Sequence, residues 1–409
     1  MFYIRKFFDN YFGIPRLAWF IFPLIVLDNL AAAIILNVPL YFEKFNNIHQ
    51  FETGKIISLY YVGSLIGSFS GGYLTLRKSS IVISSFAMLF YGSLLYLFAS
   101  ISSPSMFELV AIFIGLFGAV TSTSNLSSFV RTSGNKSGIT QINLEMVIFN
   151  ACISVGAYIL LTFSIANVVL FLKSLSIAIS LSGLYILMLR KNKTFMPMND
   201  LKTTTDMRPE RFKPAILLFI TVFIVGLIFS MIKVVYTPTV EARFGGTGEG
   251  ALVASLNPWI LLLIQPHLVA WFKGRYDYNF LVMGIGGFLV GLGYFFFGIS
   301  TGFLSSAMSI TILTFGEVIY APISKNIATT SFGKGKDGFV LGLWRAIFLG
   351  SGFIGPIISG WLCQNYGDLI VWELCALLGF LCFVVAVILR TNRLELKLNA
   401  RKMEVTNII

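Results

Sequence analysis

The chain alternates long apolar blocks with short polar interruptions, and the blocks run close to the twenty or so residues that about 30 Å of hydrocarbon requires of an α-helix. Windows of about twenty residues predict spans at Leu17–Leu40, Thr53–Thr75, Ile81–Ser100, Phe107–Val130, Ile142–Thr162 and Asn167–Leu189. A second set follows at Pro214–Pro238, Gly250–Phe272, Asn279–Ser300, Phe303–Ala328, Gly338–Leu362 and Leu369–Leu389. Between the two sets, Arg190–Lys213 holds seven Lys or Arg, three acids and two prolines with no long apolar run, the pattern of a solvated tether. The fold class expected is an all-α membrane protein of 12 transmembrane helices in two six-helix bundles. Residues 1–189 form the first bundle, 190–213 a cytoplasmic linker, 214–390 the second bundle and 391–409 a cytoplasmic tail.

Composition narrows the class. Across 409 residues, 56% hydrophobic content, only 12% charged residues and a mean hydropathy of +0.83 exclude a water-soluble enzyme, since soluble domains carry about 25% charge. The net charge of +12 does not signal nucleic acid, because its basic residues fall between apolar segments. Twenty-three of the 30 Lys and Arg lie on one side if both termini are cytoplasmic, whereas the opposite loops hold only Lys44 and Arg243. The positive-inside rule then orients the chain. Cys152, Cys363, Cys375 and Cys382 sit in or at the ends of apolar stretches without a CxxC pattern and read as small core residues. The first apolar segment contains Asp28, is too long for a signal-peptide core and lacks a small-residue cleavage site, so it is expected to stay as span one.

An ionisable group in mid-membrane costs about 2.5 to 3.5 kcal/mol on insertion scales and is a functional candidate by default. Asp28 lies near the middle of span one, and Glu317 lies well inside span ten, ahead of Pro322 and Lys325. Both are proton-coupling candidates. Lys233, about 7 Å from the end of span seven at 1.5 Å per residue, is either a cavity cation or a lysine reaching the headgroups. Arg345 in span eleven stays charged and needs a partner; its depth matches that of Glu317, and a buried Glu317–Arg345 pair is expected. Asn125, Asn150, Tyr236 and Trp344 are further cavity candidates, and Glu145 is a gate or cap candidate. The polar end of span four, Thr121 to Ser128, is either a cavity wall or a close helix contact. Gly63, Gly67 and Gly71 in span two, with Gly352 and Gly355 in span eleven, form small-residue faces suited to close or sliding helices, and Pro258 interrupts span eight. Only His49 and His267 are available for histidine chemistry, and there is no P-loop, metal-ligand cluster or paired acid box.

Some stretches carry a family resemblance. After span two the chain reads Gly72-Tyr73-Leu74-Thr75-Leu76-Arg77-Lys78-Ser79, which with the six-plus-six layout resembles the major facilitator superfamily of secondary transporters. Glycine, leucine and Arg77 match the superfamily's G-x-L-x-D-R-x-G-R-like signature, while Leu76 stands where the family's gate-latch acid would be. Asn125–Val130, Phe149–Ile159, Ser255–Pro258, Gly316-Glu317 with Ala321-Pro322, and Gly342–Trp344 resemble, in collinear order, the proton-coupled oligopeptide transporter branch. That branch places a substrate-contacting acid in the Gly-Glu context of Glu317. Its E-x-x-E-R signature is missing from span one.

The resemblance implies a secondary transporter working by alternating access, with substrate between two bundles, no cofactor or metal, and a gradient as the energy source. Its expected partners are protons, a small-molecule substrate and the lipid bilayer of a bacterial cytoplasmic membrane, with no nucleic acid and a functional monomer. Within that class, uptake of a peptide-like or amino-acid-containing solute stands beside export of a drug, siderophore or other metabolite. A non-transporting membrane enzyme or assembly factor is the reading from another class, and no cluster of catalytic side chains speaks for it.

Overall fold

The structure is a computed structural model that describes residues 15–38, 41–42, 48–101, 103–132, 139–190, 193–195, 212–245, 248–272, 279–332 and 337–391. Its long α-helices are α1 (Arg16–Leu36), α2 (Gln50–Arg77), α3 (Ser80–Phe98), α4 (Pro104–Arg131), α5 (Ile139–Thr162) and α6 (Ile165–Ile186), then α7 (Phe212–Phe244), α8 (Gly248–Phe272), α9 (Phe280–Ile299), α10 (Phe303–Phe332), α11 (Asp337–Tyr366) and α12 (Asp368–Thr391). Among the described residues, nine helices are long and apolar enough to cross a membrane: α1, α3, α4, α6, α7 and α9 to α12. In α2 the glycines, serines and tyrosines between Gly54 and Tyr73 dilute the hydropathy.

The helix ends follow local chemistry. Pro104 opens α4, where its missing N–H costs nothing, and the Asn279 side chain caps α9 by accepting from the Val282 N–H at 3.1 Å. Between α11 and α12, Gly367 takes φ +85°, a left-handed turn that a side chain would strain.

The chain divides into two compact units, residues 1–48 with 55–201, and residues 49–54 with 202–409. In the first, α3 packs on α6 and α4, and α1 on α5. The α2–α4 contact is made backbone to backbone. A Cβ on Gly63 would stand 1.9 Å from the Ile112 carbonyl oxygen, one on Gly67 2.2 Å from that of Leu116, and one on Gly115 2.1 Å from that of Tyr60. The glycine run of span two therefore seats α2 on α4 within one unit.

The polar end of α4 is likewise a packed seam. Asn125 is 1% exposed and accepts from the Ser84 hydroxyl of α3 through Oδ1, and Ser128 donates to Ser80 at 2.8 Å. Ser124 and Ser128 also bond carbonyls one turn back in α4.

In the second unit α9 is the central helix, packed on α12 and on α10, while α7 packs on α11. Gly291 meets Gly379 across the α9–α12 seam, where a Cβ on Gly291 would come within 2.9 Å of the Gly379 Cα. Cys382 packs under Gly287 in the same seam, and all four cysteines are free and buried. Gly355 of α11 lies against Ser230 of α7, leaving 2.0 Å to the Ser230 hydroxyl for an added Cβ, and Gly352 is buried on the same helix. At one end of the unit, the Arg243 guanidinium donates to the Phe297 carbonyl at 3.0 Å, the Gly298 carbonyl at 3.3 Å, Ser300 Oγ at 2.7 Å and Ser306 Oγ at 3.2 Å. A cation thus caps the carbonyl end of α9 and ties α7 to the start of α10.

One expectation for the linker is corrected. Residues 191–192 and 196–211, and the tail from 392, lie outside the described residues, but Lys193–Phe195 forms a 3-10 turn with Phe195 fully buried. Arg131, the last residue of α4, donates to the Phe195 carbonyl at 3.1 Å and to the Thr75 carbonyl of α2 at 2.8 Å. The connector therefore begins as an anchored segment, because an apolar side chain and a two-pronged guanidinium hold it.

Two measurements check this account. Gly67→Ala should destabilise the protein by about 1 to 3 kcal/mol through overpacking, while Gly72→Ala, with open space at its Cβ position, should be neutral or stabilising by up to about 1 kcal/mol; thermal melting of the detergent-purified protein separates them. Arg131→Gln should lower the melting point and speed protease cleavage near residue 195, since hydrogen bonds to a charged group contribute about 1.5 to 3 kcal/mol.

Candidate functional site

Each unit holds ionisable groups at depth. In the first, Asp28 is 4% exposed in α1, about 18 Å from the start of its helix at 1.5 Å per residue. Tyr60 of α2, Tyr91 of α3 and Cys152 of α5 lie within electrostatic reach of its carboxylate. Tyr91 is 1% exposed, with its ring against the backbone at Gly118. Close packing of α1 on α5, where Gly156 meets Ala33, and the thiol contact of Cys152 with the Val26 carbonyl at 3.7 Å fix the acid among these groups. Groups from three other helices thus lie within electrostatic reach of one carboxylate.

The second unit builds its centre from Gly316. A Cβ there would stand 2.6 Å from both the Gly286 carbonyl oxygen and the Val290 amide nitrogen of α9, so the missing side chain lets α10 lie directly on α9. The next residue, Glu317, is thereby presented to α8, where Asn257 donates to its Oε2 at 3.1 Å. Lys233 of α7 and Lys325 of α10 are the cations whose charges act on Glu317.

Depth can be measured from a common reference, because Arg243 of α7 bonds Ser306 of α10. Lys233 lies ten residues below Arg243 and Glu317 eleven beyond Ser306, about 15 and 16.5 Å along their helices. Lys233 is thus level with the acid. The sequence placed it nearer a membrane surface because it ended span seven at Pro238, whereas α7 continues through that proline to Phe244. Tyr236, one turn along the same face of α7, donates to the Val253 carbonyl one turn from Asn257 on α8.

Lys325 lies 4.8 Å over the Trp344 ring, and Trp344 stacks on Phe348 with centroids 5.2 Å apart while donating to Ser324 Oγ at 3.3 Å. The aromatic pair holds the second lysine in place. Lys233, Tyr236, Asn257, Glu317 and Lys325 are all half-buried, and three helices, α7, α8 and α10, bring them together.

Other candidates fall elsewhere. Arg345 is exposed, and no ion pair joins it to Glu317 among the described residues; the acid's partners come from α7, α8 and α10. The expected Glu317–Arg345 pair is therefore corrected: similar depth on consecutive helices did not put the two side chains on facing surfaces. Asn125 is corrected from cavity wall to interhelix contact, as its burial requires. Asn150 and Glu145 are half-buried on α5, and Pro258 is buried within an unbroken α8. Arg77 is exposed at the end of α2, its guanidinium 4.4 Å over the Tyr73 ring one turn back. The side chains of Leu76 and His267 lie outside the described residues. Sequence reading missed Asn257 as a site residue, although its Asn-Pro step was visible, and missed Tyr60 and Tyr91, which resemble many other membrane tyrosines.

The structure is all-helical in two units, with nine described helices long and apolar enough to cross a membrane. Residues 218–407 match the Major Facilitator Superfamily. A POT family transporter solved with a thioalcohol-conjugated peptide superposes with a TM-score of 0.68 at 17% identity, over 93% of this chain and 96% of that one. The nucleoside transporter NupG superposes at 0.72 and 12% identity, over 90% and 99%. The human organic anion transporter MFSD10 superposes at 0.64 and 13% identity, over 91% and 99%. No curated protein matches the chain in sequence. These likenesses are in line with the resemblance read from the sequence, and at such identities they show the fold alone.

The geometry carries its own test. The double change Glu317→Arg with Arg345→Glu should express and function no better than the worse single variant, since the two residues are not partners; Asn257→Ala, by contrast, should impair function to within about tenfold of Glu317→Gln, a hydrogen bond to a charged group being worth about 1.5 to 3 kcal/mol.

Proposed function

We propose that the protein is a proton-coupled secondary transporter that moves a small solute across a bacterial cytoplasmic membrane by alternating access, with both termini cytoplasmic. The observation that carries this reading is a buried or half-buried acid at depth in each helical unit of a major facilitator fold, Asp28 in the first and Glu317 in the second. An acid held in hydrocarbon is costly when charged, so taking up a proton changes the stability of its surroundings and can bias one conformation over another.

Asp28 is the coupling group: it is the only acid of the span-one core, and Tyr60, Tyr91 and Cys152 lie within electrostatic reach of it. Glu317, held by Asn257 and flanked by two lysines, belongs to the substrate centre. The POT and NupG neighbours, named for peptides and nucleosides, support a polar organic solute. The residues at the two centres supply charge and hydrogen bonds, with no nucleophile and base in a hydrolytic arrangement, which favours transport over catalysis.

Proteoliposomes with an imposed pH gradient, offered peptides, amino acids, nucleosides and organic acids, test the proposal. The parent should concentrate at least one solute, and Asp28→Asn should abolish the gradient-driven part while leaving exchange of bound solute. An Asp28→Asn protein that concentrates solute as well as the parent at every pH would remove Asp28 from coupling.

A further inference from the structure

We infer that the substrate centre of the second unit takes a small organic anion, and that Lys233 is the residue that receives its anionic group. The inference rests on reading that centre as a substrate site, and it adds the charge of the ligand and the residue that selects it.

The charge balance is the first argument. Glu317 is the acid at this level of the second unit, and both Lys233 and Lys325 act on it. Glu317 is already bonded by Asn257, and no counter-ion bonds the Lys233 ammonium among the described residues. A charge without a bonded counter-ion at this depth carries a standing cost, and a bound anion offsets it.

Hydrogen-bonding capacity is the second. Glu317 Oε2 accepts from Asn257, and Lys325 sits over the Trp344 ring, 4.8 Å from its centroid. Lys233 differs. Among the described residues no hydrogen bond or ion pair holds its ammonium group, and Glu317 reaches it only through space. An ammonium has three donors and no acceptor, so what this group can add to a ligand is donation to an anion or a carbonyl.

Position is the third. Lys233 is level with Glu317, about 15 Å below the Arg243 clamp, which leaves its ammonium too deep for headgroup phosphates to be its ordinary partner. Its face of α7 is the one from which Tyr236 reaches Val253 of α8. The ammonium therefore shares the α7–α8 side of the centre with Asn257, while Lys325 approaches from along α10. A carboxylate seated there would meet Lys233 directly and leave Glu317 and Asn257 to contact a donor group elsewhere on the solute. A ligand bearing only an amine would instead place like charges together.

The test uses full-length protein in lipid nanodiscs and follows thermal stability with four carboxylates, namely pyruvate, succinate, benzoate and N-acetylalanine, each beside its amide, and with benzylamine as the cation. At least one carboxylate should raise the melting point while its amide and benzylamine do not. Lys233→Gln should weaken that carboxylate by about tenfold to a hundredfold, and Lys233→Arg should keep most of the binding. Equal binding of amide and carboxylate, preference for the amine, no response to any carboxylate, or parental affinity in Lys233→Gln would each overturn the inference. The comparison of carboxylate with amide is made on the parent protein, so it decides the charge requirement even if Lys233→Gln fails to fold. Failure of the wider reading looks different. A carboxylate that binds through Lys233 but is never moved by proteoliposomes would sink transport and leave the anion site standing. A neutral or cationic solute carried at the parental rate by Lys233→Gln would do the reverse.

Discussion

The approach of helix backbones through missing side chains is the constraint on which the rest of this structure depends. In a membrane, lipid tails are as apolar as leucine, so helices gain little by hiding apolar surface from one another and must associate through contact distance and hydrogen bonding. The seams at Gly63 and Gly67 against α4, Gly291 against Gly379, and Gly316 against α9 bring backbones close enough that a single methyl group would collide. The same seams aim the polar residues. Glu317 points at Asn257 because its neighbour Gly316 has no side chain to hold α10 away from α9.

Polar groups then divide by depth. Near helix ends the arginines are occupied with backbone carbonyls: Arg243 closes the end of α9, and Arg131 joins α2 to the 3-10 turn Lys193–Phe195. There a permanent cation meets the negative end of a helix or a carbonyl with no helical partner, which is a structural use of charge. Hydroxyls in mid-helix mostly bond their own carbonyls one turn back, as Ser124 and Ser128 do. Asp28 in one unit and the Lys233–Asn257–Glu317–Lys325 set in the other face groups from other helices instead.

That division separates function from framework more sharply than residue type does. Arg243 and Lys233 share one helix, yet the first spends its guanidinium on four acceptors while the second has none within bonding distance among the described residues. Asn125 and Asn257 are both amides in spans; one is locked to a serine in a packed seam and the other to a carboxylate in a half-buried centre. Burial and partner, read together, assign each a role that composition could not.

By itself the sequence determined what hydropathy and length control: an all-helical membrane chain with Asp28 and Glu317 as acids at depth, and it set as expectations a six-plus-linker-plus-six layout and an orientation from its basic loops. These follow from transfer free energies that depend on each residue and its near neighbours along the chain. The tertiary structure alone decided which face each residue shows and whom it meets. Depth along a span put Glu317 and Arg345 at similar heights, but the rotation of α11 exposes Arg345, and Asn257 and Lys233 stand beside the acid instead. A helix carried past Pro238 put Lys233, which the sequence left open between a cavity and the headgroups, at the level of Glu317, and Phe195 turned the start of a polar linker into a buried anchor. Helix rotation and pairing are set by long-range packing of small residues, whose pattern in the sequence marks that a close contact exists without naming its partner.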